Sequence, residues 1–231
     1  MFGRRLINTG SAACPSSTVD IFGDSSGLAL YEFENNANDT GGVYNGTATS
    51  VTYAAGYIGD AGSFNGSSSY VTLPTSMPIN FSSFTFSAWC KVNSLPLNTA
   101  AITEIRLAGS YPNDNTIGIY ANKSNGNYRY LFRNKLANQI SFEANAPTLS
   151  TWNLFTLSYD GTTLNGYLNG VSVLSQAFTV TNSTGSITAI ILGEYSATSL
   201  RQLNGSLDQI RIFDRAITST EVTTLYNEVA C

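Results

Sequence analysis

The sequence predicts an all-β protein: a two-sheet antiparallel β-sandwich of the jelly-roll kind, with one short helix near the C-terminus. Short runs of alternating apolar and polar residues recur along the chain, and clusters of Gly, Asn, Asp, Ser or Pro separate them. No long stretch with helical periodicity lies between these runs. The chain has 231 residues, 42% of them hydrophobic and 12% aromatic, which is enough to bury one core. We therefore expect a single sandwich domain.

The first 26 residues show little periodicity, so we predict an extended N-terminal arm over 1–26 and a sandwich domain over 27–231. Alternation starts at 28–34, which is the first predicted strand, and 35–42 follow as a polar loop. Further strands are predicted at 51–54, 61–65, 69–73, 84–93, 101–107, 116–121, 128–133, 139–144, 153–159, 163–169, 171–177, 186–192 and 204–213.

Two Asx-Gly dipeptides mark tight connections between late strands. Asp160-Gly161 and Asn169-Gly170 each offer residues that tolerate positive φ, which a two-residue type I′ turn requires. The sequence therefore predicts two successive hairpins in this part of the chain.

One helix is predicted, within 216–226. Val222, Leu225 and Tyr226 lie at helical spacing there. Thr218 fits the N-cap, and Glu221 three residues later would complete a capping box.

The chain has three cysteines, an odd number that argues against a simple disulfide framework. Alternation puts Cys90 on the same strand face as Phe86 and Val92, so we expect a buried free thiol. Cys14 and Cys231 lie near the two ends of the chain, which sandwiches often bring together. They can form a disulfide or remain free, and the sequence leaves both alternatives open.

Charge and composition exclude several classes of function. Lys and Arg number 11 against 15 Asp and Glu, so the net charge is −4, and a nucleic-acid partner is not expected because it would require a basic face. Membrane insertion is not expected either, since the sequence shows no span of about 20 apolar residues. The chain has no histidine, which excludes Ser-His-Asp catalysis and zinc chemistry.

Five segments in order resemble the laminin G-like jelly-roll family of the concanavalin A-like lectins and glucanases, from about residue 28 to 228. They are LYEFENNANDTG at 30–41, GSFNGSSSYV at 62–71, FTFSAW at 84–89, WNLFTLSYDG at 152–161 with YLNG at 167–170, and NGSLDQIRIFDRAI at 204–217. The resemblance implies a concanavalin A-like sandwich. Alternation puts Trp89 on the strand face opposite Phe86, where it lies either on an outward or concave surface or beneath a covering loop.

Glucanases of this architecture carry a Glu-x-Asp-x-x-Glu arrangement on one strand, and that motif is missing here. The nearest pair is Glu32 and Glu34, two residues apart on the first predicted strand and so about 7 Å apart on one face. The resemblance places this pair where the family has variable polar residues. We therefore expect no enzymatic activity.

The resemblance also implies that one Ca²⁺ can be held by loop oxygens, although no cofactor is required. Asn36 and Asp39 lie in the polar loop, and Asp208 matches an aspartate of the family's penultimate strand. The alternative is that these side chains only cap turns of the backbone.

The first functional hypothesis is a non-catalytic virion accessory or decoration protein of a bacteriophage, on the capsid, neck or tail. The composition is polar and weakly charged, as in extracellular proteins, yet the sequence shows no export signal. This combination fits assembly in the host cytoplasm and release by lysis. The arm would dock on other virion proteins through Phe2, Arg4, Arg5, Leu6 and Ile7. A homo-oligomer or symmetric array is expected on such a particle.

The second hypothesis is a free-standing, extracellular carbohydrate-binding adhesin, and the two are compatible because a virion decoration can bind surface glycans. Long segments at 93–100, 108–116 and 193–203 are predicted to form a loop platform for a sugar. The candidate ligand residues in them are Tyr111, Asp114, Tyr195 and Arg201. A polysaccharide hydrolase or lyase is the third and weakest hypothesis.

Overall fold

The structure is a computed structural model that describes residues 18–94, 100–107, 116–121, 128–133, 139–144, 148–178, 187–194 and 202–228. Within these residues the chain forms fifteen strands and one helix. The strands are β1 (Gly27–Tyr31), β2 (Thr47–Thr49), β3 (Thr52–Ala55), β4 (Asp60–Asn65), β5 (Tyr70–Leu73), β6 (Phe84–Ser94), β7 (Ala100–Leu107), β8 (Thr116–Ala121), β9 (Tyr128–Arg133), β10 (Gln139–Ala144), β11 (Trp152–Tyr159), β12 (Thr163–Leu168), β13 (Val171–Ala177), β14 (Ile187–Leu192) and β15 (Asn204–Phe213), and the helix is α1 (Ser219–Tyr226). No helix in the described ranges has the length and apolar character needed to cross a bilayer.

The strands form two antiparallel sheets. Sheet A has the order β13-β12-β11-β6-β15-β4-β3, and β1 pairs with β15 beside this path. Sheet B has the order β10-β9-β8-β7-β14-β5-β2. The predicted two-sheet antiparallel sandwich with a short C-terminal helix is confirmed.

The core lies between the sheets and takes alternate residues from each. Phe86 and Leu157 of sheet A share one buried cluster with Ile105, Ile119 and Leu192 of sheet B. Burial of this kind stabilises a sandwich because each strand contributes one apolar face.

Cys90 belongs to the same core and is a fully buried free thiol, as predicted. Burial raises the pKa of the Cys90 thiol well above its usual range. The thiolate is the reactive form of cysteine, so this side chain is expected to be inert in the folded protein.

The outward face of sheet A is also covered, by α1 and by residues 18–26. A second buried cluster forms beneath them, and its members are Trp89, Leu154, Tyr167, Phe213, Ile217, Val222 and Leu225. The Phe22 ring lies 5.4 Å from that of Phe213, and Arg211 donates to the Thr18 carbonyl oxygen at 2.7 Å. Residues 18–26, which fall in the predicted arm, therefore pack on the sandwich.

The helix begins where the sequence predicts. The Thr218 hydroxyl accepts a hydrogen bond from the Glu221 N–H, and the Glu221 carboxylate accepts one from the Thr218 N–H, so the capping box is confirmed.

Replacing Thr218 by Ala removes the N-cap acceptor, and we expect it to lower the free energy of unfolding by about 1 kcal/mol. Urea denaturation measures this change. Thr220→Ala, in the first turn of the same helix, is the matched control, and its free energy of unfolding should stay within about 0.5 kcal/mol of that of the unchanged protein. Equal losses in the two variants would contradict a capping role.

The first strand is shorter than predicted, ending at Tyr31 instead of residue 34. Phe33 and Asn35 both have a φ of 58°, a left-handed conformation that a strand does not continue through. The Thr40 N–H then donates to the Leu30 carbonyl oxygen, so the loop folds back on the strand. The three-residue strand β2 was not predicted because it is too short to show a period.

The two predicted hairpin turns differ from each other. Asn169 and Gly170 have φ values of 51° and 79°, the positive pair that a type I′ turn requires. The prediction for Asp160-Gly161 is wrong, because three residues, 160–162, join β11 to β12. The Asp160 carboxylate accepts hydrogen bonds from the Thr162 and Thr163 N–H groups, and this Asx turn replaces the tight one.

Candidate binding face

The outward face of sheet B carries a glutamate that is buried, although its position in the strand alternation points it away from the core. In β7, Ile105 belongs to the core, so the neighbouring Glu104 points away from it. The register agrees, since Glu104 pairs with Gly118 of β8 and with Ile191 of β14. Glu104 nevertheless has only 1% of its surface exposed. A carboxylate is therefore buried on the outer side of a sheet.

Tyr120 of β8 is the hydrogen-bond partner of this carboxylate on the same face. Its hydroxyl donates to Glu104 Oε2 at 3.0 Å, and Tyr120 itself is fully buried. Gly118 makes room for the ring, because a Cβ at that position would lie 2.5 Å from the Tyr120 phenol carbon and oxygen. Burying a charge costs free energy unless hydrogen bonds compensate it, so the geometry of the Glu104–Tyr120 pair is well defined.

The rim beside this pair is also polar. Glu194 and Gln202 form an isolated β-bridge after β14, and the Gln202 amide donates to Glu194 Oε1 at 3.0 Å. Leu192 pairs with Thr103 and the Gly193 N–H donates to the Ile102 carbonyl oxygen, so this bridge lies near the start of β7. Tyr120 pairs with Ala101 at the same end.

The four predicted ligand residues Tyr111, Asp114, Tyr195 and Arg201 lie outside the described residues and stay a prediction. Their flanking residues are informative. Glu194 and Gln202, next to Tyr195 and Arg201, lie at the start of β7 near Tyr120. The residues that flank 108–115 are the end of β7 and the start of β8, about 20 Å away along the strand.

The residues predicted for the virion arm and the disulfide lie outside the described range as well. They are Phe2, Arg4, Arg5, Leu6, Ile7, Cys14 and Cys231.

Asp39, one of the three predicted calcium ligands, is occupied by backbone donors. Its carboxylate accepts hydrogen bonds from four N–H groups, those of Leu30, Gly41, Val43 and Tyr44, at 3.0 to 3.2 Å. N–H groups present their positive end to the carboxylate, so they compete with a cation for its oxygens. This donor set fits turn capping, and the calcium role of Asp39 stays a prediction.

The other two predicted calcium ligands make similar contacts. Asn36 is exposed and accepts a hydrogen bond from the Asn38 N–H. Asp208 is fully buried and accepts hydrogen bonds from the Tyr57, Ile58 and Gln209 N–H groups. Across the described ranges, no cluster of three or more His, Cys, Asp or Glu side chains is arranged to hold a metal ion.

Burial raises the pKa of the Asp208 carboxyl to about 7, against the opposing effect of its three N–H donors, and the negative charge of Glu34 adds to the rise. The folded protein therefore binds a proton at Asp208 more tightly than the unfolded chain does. The stabilisation from that proton is fully present below the ordinary pKa of 3.8 and is lost as the pH rises through about 7.

We expect the free energy of unfolding to decline between pH 4 and pH 7 by more in the unchanged protein than in Asp208→Asn, which has no carboxyl to titrate. Urea denaturation at several pH values measures both profiles. Parallel profiles would contradict the raised pKa.

Glu32 and Glu34, the nearest approach to a catalytic pair, do not lie on one strand face as predicted, because β1 ends before them. The Glu32 carboxylate accepts from the Thr40 hydroxyl, and that of Glu34 accepts from the Asp60 N–H. Both line a pocket of about 200 Å³ in the loop after β1, together with Asn36 and Asp39. The two carboxylates thus bind different groups, a side-chain hydroxyl and a backbone N–H.

Sequence reasoning missed Glu104 and Tyr120. The signal available was a glutamate inside the otherwise uncharged run AAITEI, opposite in phase to Ile105. For Trp89 the structure supports the second of the two predicted alternatives. Its side chain points outward from sheet A but is covered, with 3% of its surface exposed.

Residues 65–223 match the family model of the concanavalin A-like lectin/glucanases superfamily, and the chain belongs to that superfamily through a laminin G-like domain. This fold supports carbohydrate binding. No curated protein sequence matches the chain.

Solved structures with this fold include carbohydrate-related proteins. Domain 4 of AbnA, a GH43 extracellular arabinanase from Geobacillus stearothermophilus in complex with arabinotriose, is 24% identical, with a TM-score of 0.71 over 87% of this chain and 98% of that one. The binding domain of Paraclostridial Mosquitocidal Protein 1 is 21% identical, with a TM-score of 0.65 over 87% of this chain and 51% of that one. Trypanosoma rangeli sialidase in complex with sialic acid is 17% identical, with a TM-score of 0.69 over 86% of this chain and 32% of that one. At these identities the likeness shows the fold, and the chain spans only about a third of the sialidase.

Proposed function

We propose that this protein is a non-catalytic carbohydrate-binding module that contacts its glycan through the outward face of sheet B. The observation that carries the proposal is the buried Glu104–Tyr120 pair on that face. Membership of a lectin superfamily supports it, as does the structure of the arabinanase domain, which contains arabinotriose.

The chemistry of the pair suits a saccharide. Glycan sites combine a few well-placed polar groups with apolar and aromatic surface. Glu194 at the rim is partly exposed and would supply acceptor oxygens for sugar hydroxyls, while the buried Glu104–Tyr120 pair fixes strands β7 and β8 beneath the contact surface. The outward face of sheet A is covered over much of its area by α1 and residues 18–26.

The test begins with a glycan array on the full chain, followed by calorimetry on the best ligand. Tyr120→Phe removes the hydroxyl that holds Glu104, and we expect about a tenfold loss of affinity, the equivalent of one hydrogen bond. Tyr70→Phe makes the same change on β5, elsewhere on sheet B, and should leave the affinity unchanged. No array hit, or equal affinity in the two variants, would refute the proposed site.

The absence of catalysis is part of the proposal. It is supported by the separate contacts of Glu32 and Glu34, which bind the Thr40 hydroxyl and the Asp60 N–H instead of sharing one strand face as a glycosidase pair would. Reducing-end release from polysaccharides should be undetectable. Activity that disappears in Glu32→Gln or Glu34→Gln would establish a hydrolase or lyase instead.

A finer proposal is that the module decorates a bacteriophage particle, with the segment before residue 18 docked on other virion proteins. The composition supports it: only 11% of residues are charged, and the remainder is rich in small polar side chains. An electron-microscopy map of the native assembly tests it directly. Unchanged particle association after deletion of residues 2–12 would favour the free-standing adhesin.

A further inference from the structure

A group of aromatic side chains lies on the opposite side of the molecule, at the outward face of sheet A. The Tyr57 ring stacks on the ring of the buried Trp89, with centroids 3.6 Å apart and planes 16° apart. Trp152 meets Tyr57 edge-on at 6.3 Å, and Tyr226 stacks near Trp89 at 5.7 Å. We call Tyr57, Trp152 and Tyr226, together with Lys91, the aromatic patch.

Rigid elements hold each member of the aromatic patch. Lys91 belongs to β6, Trp152 is the first residue of β11, and Tyr226 is the last residue of α1. Tyr57 lies in the turn between β3 and β4, where its N–H and that of Ile58 donate to the buried Asp208 carboxylate. A site whose rings are fixed in advance loses little entropy on binding.

The aromatic patch remains partly open to solvent. Tyr226 is 37% exposed, and Tyr57, Trp152 and Lys91 are each half-buried, although Trp89 below them is covered. Covering Trp89 alone would not require exposed ring surface on three neighbours. Exposed aromatic surface next to polar groups is typical of binding sites, because it offers apolar contact at little cost in entropy.

Lys91 gives the aromatic patch its charge. Its ammonium lies 5.0 Å from the centre of the Trp152 ring. Arg211 and Arg215 are paired with carboxylates, whereas Lys91 has no carboxylate partner among the described residues. An anionic group on a ligand stacked against Trp152 would therefore find a cation within reach.

The buried donor beneath the rings is a second, independent indication. The Trp89 indole N–H is buried and has no hydrogen-bond acceptor among the described residues. A buried donor without an acceptor costs free energy, and most native structures avoid it. An acceptor oxygen supplied by a ligand would recover that cost.

We propose that the aromatic patch is a second carbohydrate site, specific for carboxylate-bearing pyranoses such as uronic or sialic acids. The ring face of the sugar stacks on Trp152 and Tyr226, and its carboxylate pairs with Lys91. This site is independent of the one on sheet B.

The chain provides its own reporter, because its two tryptophans are Trp89 and Trp152, both at the aromatic patch. We expect trigalacturonic acid or 3′-sialyllactose to change the tryptophan fluorescence of the full chain in a saturable way. The neutral counterparts, methyl-esterified trigalacturonate and lactose, should bind at least about tenfold more weakly, since they lack the charge that Lys91 pairs with. The two acids distinguish a plant-type from an animal-type source.

Lys91→Met keeps the apolar stem and removes the charge, so it should weaken binding of the acidic sugar about tenfold while leaving the neutral one unchanged. Trp152→Phe should reduce binding of both, and Val43→Ala, an exposed change in the loop after β1, should affect neither. No fluorescence change with either acid, or equal affinity of Lys91→Met and the unchanged protein, would overturn the inference. Tyr120→Phe leaves the fluorescence titration unchanged if the two sites are separate, so failure of one proposal is distinguishable from failure of the other.

Discussion

Replacing Arg211 by Met should lower the free energy of unfolding by about 3–5 kcal/mol. The Arg211 guanidinium is 1% exposed and pairs with the Glu228 carboxylate at 2.7 Å. Burial raises the pKa of Glu228 against the pull of Arg211, so the carboxylate already bears a desolvation cost. Without Arg211 it would be a buried charge with no compensation. Urea denaturation at neutral pH measures the loss.

Two controls separate the ion pair from general disruption. The double variant Arg211→Met with Glu228→Met removes both charges and should recover most of the lost stability, since well-packed apolar pairs often replace buried ion pairs at little cost. Arg215→Met breaks pairs with Asp24 and Glu221 that are 23 to 40% exposed, and should cost about 1 kcal/mol or less. A small loss in Arg211→Met itself would show that the pair contributes little.

Replacing Asp39 by Ala should cost about 3–5 kcal/mol, because four backbone N–H groups lose one charged acceptor. The Leu30 N–H is buried and has water excluded from it, so its loss weighs most. Thermal denaturation and urea denaturation both report the change. Asp39→Asn keeps one acceptor oxygen and should lose less than Asp39→Ala.

Asn36→Ala is the matched control in the same loop, since Asn36 is exposed and supports one turn, and it should cost under about 1 kcal/mol. The same variants test calcium. A melting temperature of the unchanged protein that rises between chelator and millimolar Ca²⁺, with the rise lost in Asp39→Ala, would establish Asp39 as a calcium ligand.

Local patterns predicted most of the fold. Strands such as β6 and β15 were predicted to within about a residue, because their residues alternate between a shared core and the outside. The capping box at Thr218 was predictable for a similar reason, since its contacts span only three residues. The end of β1 was not, because a left-handed φ at Phe33 leaves no mark in the apolar pattern.

The candidate sites depend on contacts between distant parts of the chain, which a single sequence does not display. Glu104 meets Tyr120 only because β7 pairs with β8, and the choice of sheet decides which side is outward. Tyr57 covers Trp89 because Asp208, about 150 residues later, binds its turn. The periodicity of a strand predicts which side chains share a face, but it does not predict which other elements pack against that face.

The contacts of residues 18–26 determine where a shortened version of the protein can begin. A fragment starting at residue 27 would lack the Thr18 carbonyl that Arg211 uses, the Phe22 ring on Phe213 and the Asp24 carboxylate that binds Arg215. Such a fragment would expose part of an apolar surface and would leave the Arg211 guanidinium without its Thr18 acceptor. The exposed apolar surface favours aggregation during expression. A start point upstream of Thr18 keeps these groups and is the suitable boundary for crystallisation.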